Sequence, residues 1–98
     1  MSKPDKKVAR ETQSINVFFE HNQYLPVLYG ERDAHLQRLE QALNVELVAR
    51  GNMLSITGNK RDIDATEILL QSLYEQIKNG VQITETDLDA AIRMMPPV

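Results

Sequence analysis

The chain has 98 residues and a mass of 11.2 kDa, the size of one domain. Hydrophobic residues make up 42% and charged residues 26%, a globular balance that excludes disordered and collagen-like chains. There is no Cys, which excludes a disulfide framework, a thiolate metal site and a thiol nucleophile. The formal net charge is −3, unfavourable on average for a nucleic-acid binder, but it is unevenly spread. Residues 1–13 carry +2, residues 14–29 carry −1, residues 30–62 are neutral and residues 63–98 carry −4. A local basic surface therefore remains open in the first two thirds. No apolar run is long enough to span a membrane. The opening Met-Ser-Lys-Pro-Asp-Lys-Lys has no apolar signal region, so the expected compartment is the cytoplasm.

Residues 1–13 are polar and without periodicity, and read as a flexible tail, with order beginning near Ile15. Ile15, Val17 and Phe19 alternate with polar positions, a strand signal. Phe18 on the opposite face implies that this face is partly covered too. Asn22 is the expected cap of a short helix running to Tyr29 and closed by Gly30, with Pro26 in its first turns. Leu36, Leu39 and Leu43 recur at helical spacing and Asn44 ends that helix, with His35, Gln37, Arg38 and Gln41 pointing elsewhere. The period then switches to two at Val45, Leu47 and Ala49. Gly51-Asn52 follows as a type II′ hairpin turn, and Leu54 and Ile56 continue the alternation. Asn59 is placed to cap a long helix whose stripe is Ile63, Leu70, Leu73, Tyr74 and Ile77, ended by Gly80. Thr84 to Asp87 reads as a capping box before a last helix lined by Leu88, Ala91, Ile92 and Met95. The order is β-α-α-β-β-α with one extra α.

Catalytic chemistry finds no support. The two His, at 21 and 35, are 14 residues apart in sequence, one at a strand end and the other on the polar side of a helix. Both read as solvated surface. Glu85, Asp87 and Asp89 crowd a helix start, where carboxylates interact favourably with the helix dipole. Metal-ligand spacing is absent, and Gly51 to Lys60 lacks the glycine spacing of a phosphate-cradling loop.

One stretch carries a pattern. Tyr29-Gly30-Glu31-Arg32-Asp33-Ala34-His35-Leu36-Gln37-Arg38-Leu39 resembles the KH-domain signature, in which two glycines flank a two-residue loop between helices. Val45-Glu46-Leu47 and Leu54-Ser55-Ile56-Thr57-Gly58 stand where that family has its second and third strands, and the resemblance covers about residues 14–79. It implies an α+β, type I KH-like fold with a three-stranded antiparallel sheet packed on helices. In that family the loop brings backbone N–H groups against single-strand phosphates, beside a groove for about four nucleotides. The departure is Asp33 at the second glycine, where a carboxylate repels phosphate and also suits the cap of the next helix. The variable loop shrinks here to Gly51-Asn52.

A longer resemblance is to the N-terminal domain of the bacterial PhoH-like proteins. It rests on Leu28 to Leu36, Asn44 to Leu47, Arg50-Gly51-Asn52, Ile56-Thr57-Gly58, Leu73-Tyr74-Glu75 and Thr84 to Arg93, about residues 15–95 in all. The resemblance implies an accessory domain preceding a P-loop ATPase domain whose residues, with their ATP and magnesium, lie outside this chain. It also implies a partner endoribonuclease of ribosomal RNA maturation. The Met-Met-Pro-Pro-Val ending then resembles a domain boundary. On this reading residues 1–13 are the tail, 14–80 the KH-like domain and 81–98 the last helix and linker. The chain has no catalytic, cofactor or metal residue of its own, and single-stranded RNA is held by Gly30, Arg32, His35, Arg38, Arg50, Lys60 and Arg61. The alternative is a protein-interaction module docking on the ATPase domain, a sister subunit or the ribonuclease through Phe18, Tyr24 and the apolar face of the last helix.

Overall fold

The computed structural model describes residues 12–95. Most of the expected tail, residues 1–11, lies outside the described residues, as does Pro96-Pro97. Gln13 is already paired in the sheet.

Strand β1 (Gln13–Phe18) pairs antiparallel with β3 (Met53–Gly58), which pairs antiparallel with β2 (Glu46–Arg50), so the sheet order is β1-β3-β2. Successive side chains alternate faces. One face carries Val17, Phe19, Leu47, Leu54 and Ile56, all buried, and helices close over it. The other face carries Asn16, Phe18, Val48 and Arg50, all exposed. Phe18 is 66% exposed, so the expectation of a partly covered outer face is corrected: no described helix packs there to shield it. The β2–β3 hairpin turns on two residues. Gly51 takes φ +60°, while Asn52 keeps a negative φ, as a turn with glycine first requires.

The segment after β1 differs from the single helix expected. Asn22–Tyr24 is a 3₁₀ turn, and α1 (Leu25–Tyr29) follows it with Pro26 in its first turn. Asn22 makes no capping bond. The turn is instead anchored by the His21 backbone N–H, which donates to the Tyr74 hydroxyl at 2.9 Å. Helix α2 (Ala34–Leu43) buries Leu36 and Leu39 and ends at Asn44 with φ +58°. Glu40 on α2 reaches β2, accepting the Leu47 N–H at 2.8 Å.

Helix α3 (Lys60–Lys78) starts at Asn59, whose side chain accepts the Asp62 N–H at 2.8 Å. It ends at Gly80, φ +91°, with Gly80 N–H donating to Ile77 and Val81 N–H to Gln76, a full Schellman closure. Thr66 lies within its buried stripe because its hydroxyl donates to the Asp62 carbonyl at 2.7 Å, which removes the cost of burying it. Helix α4 (Glu85–Arg93) begins with a reciprocal Thr84–Asp87 capping box, and its Leu88 is fully buried. One core joins Val17, Phe19, Leu54, Ile63, Leu70 and Leu88, with the Phe19 and Tyr74 rings 4.8 Å apart. No described helix is long and apolar enough to cross a membrane.

Candidate nucleic-acid interface

The loop between α1 and α2 is built from backbone. Gly30 leaves α1 at φ +81°, ψ 167°, and Arg32 and Asp33 both take left-handed conformations, φ +55° and +60°. Asp33 N–H returns to the Gly30 carbonyl at 3.1 Å, closing the turn. The position where the KH pattern puts its second glycine thus has the backbone a glycine favours. Asp fills it because its short polar side chain tolerates this region better than most. The expected Asp33 cap does not form: the residue precedes α2, but its carboxylate bonds no N–H of the first turn.

Gly30 is required twice over. Its φ is positive, and a Cβ there would stand 2.7 Å from His35 Cγ and 2.9 Å from His35 N. His35 is therefore not the solvated side chain expected from its place in α2. It is 7% exposed, packs under the Gly30 backbone, and its Nδ1 lies 3.2 Å from the Leu28 carbonyl. A carbonyl only accepts, so Nδ1 carries the proton. His35 holds α1 against α2 and sets the shape of the loop.

Arg38 lies one helical turn further along α2 and faces α4. Its Nε and Nη2 donate to the two carboxylate oxygens of Asp89 at 2.8 and 3.2 Å, and Glu85 is 3.8 Å away. The Asp89 carboxylate, first by hydrogen bond and then by charge, holds the guanidinium pKa above its ordinary value. Sequence reasoning took Glu85 and Asp89 as helix-dipole charges only. A contact spanning 51 residues leaves no local signal. Glu31, Arg32, Ala34, His35 and Glu85 line a shallow cleft at the loop. Counting Asp33 and Asp89, four carboxylates surround Arg32 and Arg38, so the loop's surroundings are acidic.

The remaining cations lie elsewhere. Arg50 ends β2 beside the hairpin turn, exposed on the open face of the sheet. Lys60 and Arg61 start α3, at the opposite end of β3, about 17 Å away at strand rise. Lys60 pairs with Asp64 at 3.0 Å. The structure brings together Gly30, Arg32, His35 and Arg38, and separates them from Arg50 and from the Lys60–Arg61 pair. Gly51 to Lys60 forms a hairpin strand and a helix start rather than a phosphate loop, so its residues do not fit ATP with magnesium. Among the described residues no group of three or more His, Cys, Asp or Glu is arranged to hold a metal ion.

No family model matches the chain, and no solved structure matches it. A PhoH-like protein from Bacillus subtilis (strain 168) is 33% identical over 67 residues, 68% of this chain and 21% of that protein. The chain therefore corresponds to about a fifth of the length of the relative it matches. Over those 67 residues, on an α+β fold with a three-stranded antiparallel sheet, the chain is related to PhoH-like proteins.

Proposed function

We propose that this chain is a KH-like accessory domain of a PhoH-like protein, one that binds single-stranded RNA and guides it to a P-loop ATPase domain outside these residues. The observation that carries this reading is the loop Gly30 to Asp33. Positive φ at Gly30, Arg32 and Asp33 makes a tight turn of the kind that suits a phosphate, and it leads into the first turn of α2, which has no side-chain cap. The order β-α-α-β-β-α and the similarity to a PhoH-like protein support the same reading. On it the chain performs no chemistry itself, works in the cytoplasm, and leaves ATP and magnesium to the neighbouring domain. Titration with short single-stranded RNAs at low salt, followed by amide NMR, tests it. Shifts clustered at residues 30–38, with affinity falling by about 0.7 log units per log unit of salt for each phosphate contacted, are the expected result. Flat titrations at low salt would sink it.

A second reading is favoured by the acidic surroundings of the loop. Arg38 is held by Asp89, and an apolar groove lined by Ile68, Leu69, Met94 and Met95 runs between α3 and α4. Ile68 and Met94 are 70% and 82% exposed. Here the domain docks on the ATPase domain, a sister subunit or the endoribonuclease. Amide shifts on α3 and α4 upon adding the ATPase domain, with none on adding RNA, are its signature.

A further inference from the structure

We infer that the open face of the sheet is a separate base-stacking site for single-stranded nucleic acid, with Phe18 as the platform and Arg50 as the phosphate contact. The register places both on one row. Phe18 and Arg50 each pair with Met53, so they flank it on the same face, two strand spacings or about 10 Å apart. Phe18 is 66% exposed, although burying an aromatic ring is among the larger single gains open to a small domain. Arg50 has no ion-pair partner among the described residues, unlike Arg38 and Lys60. In the next row Ser55 stands between Asn16 and the exposed Val48; Ser55 Oγ donates to Asn16 Oδ1 at 2.7 Å, so the Asn16 amide NH₂ remains a donor for acceptors such as base edges.

At the hairpin end of a sheet face that no described helix covers stand an aromatic ring, an unpaired guanidinium and an amide, with the one carboxylate of that face, Glu46, two rows away at its far end; these are the elements by which single strands are held. Bases stack on the ring, and the cation meets the backbone. Size decides against a protein partner. Three strands of about six residues present roughly 14 by 20 Å, about 300 Å². A stable protein interface buries about 800 Å² on each side. The face suits one or two nucleotides.

This site goes beyond the loop reading, because Phe18 and Arg50 stand at the hairpin end of the sheet and share no residue with Gly30 to Arg38. The chain has no Trp, so F18W introduces a clean stacking reporter. Its fluorescence is expected to be quenched by short oligo(A) or oligo(U) RNA at low salt, and to be unchanged by an abasic oligomer of equal charge. F18A should weaken RNA binding roughly 5- to 150-fold, F18Y should retain it, and R50A should flatten the salt dependence by about 0.7 log units per log unit of salt. Both side chains are exposed, so the variants are expected to keep the fold, checked by circular dichroism. Quenching by the abasic oligomer equal to that by RNA overturns the proposal. So does RNA affinity that falls in R32A but is unchanged in F18A and R50A. A change in sedimenting mass of F18A without RNA also overturns it, since the face would then be a protein contact.

Discussion

At the scale of single residues, the loop is held by sterics more than by charge. Replacing Gly30 by Ala sets a Cβ against the His35 ring at 2.7 Å in a left-handed backbone. The G30A variant is expected to lose about 2 kcal/mol or more, read as a lower urea midpoint at constant m. His35 is the residue whose role was least legible in the sequence. Its position in the helix repeat assigns it to the polar side, yet the absence of a side chain at Gly30 creates the space that buries it. Tyr29 shows a related conflict. Its hydroxyl is buried with no hydrogen-bond partner among the described residues, and burial, with a smaller contribution from Asp33, pushes its pKa up. Y29F removes an unsatisfied polar atom and should raise stability by about 1 kcal/mol. A loss of stability in thermal unfolding would contradict this account of the hydroxyl.

At the scale of elements, ends were more legible than faces. Asn44, Asn59, Gly80 and the Thr84–Asp87 box each carry their signal within four residues, and each closes its helix as the local sequence implies. Asn22 failed because a tertiary bond from His21 N–H to Tyr74 anchors that turn before any side-chain cap is needed. The α4 start gives two predictions. T84A removes the acceptor for the Asp87 N–H and should cost about 1 kcal/mol. The Thr84 backbone and hydroxyl, in that order, hold the Asp87 carboxyl below its ordinary pKa. A group depressed by folding stabilises above its unfolded pKa and loses that contribution as pH falls through the folded value. Stability should therefore decline as pH drops below about 4, and D87N should flatten that part of the profile in acid titrations followed by circular dichroism.

At the scale of the molecule, α4 is part of the core. Leu88 is fully buried with Ile63, Leu70 and Leu54 in the same cluster, and Arg38–Asp89 ties α4 to α2. L88A is expected to cost about 2–5 kcal/mol and to lower the midpoint of one shared transition. An α4 that melts separately, seen as early loss of amide protection at residues 85–93, would contradict this. Fold class and element order were legible because hydrophobic period is local. The grouping of the cations was not. Arg38 and Arg50 are twelve positions apart, and only the path of α2 and the register of β2 on β3 reveal that one is tied to α4 while the other stands on the open sheet. Phe18 was misread for the same reason: alternation assigns a side chain to a face, but only the packing of helices tells which face is covered.

The left-handed backbone at Asp33 has a genetic consequence. Glycine and aspartate codons are separated by a single nucleotide change, and both residues accept this φ. A domain of this shape can therefore exchange the second loop glycine for a carboxylate, and so change the charge of the loop, in one mutational step that keeps its backbone. D33G is the reverse step. Searches keyed to paired glycines will pass over chains that have taken it, whereas a search keyed to the permitted backbone angle will find them.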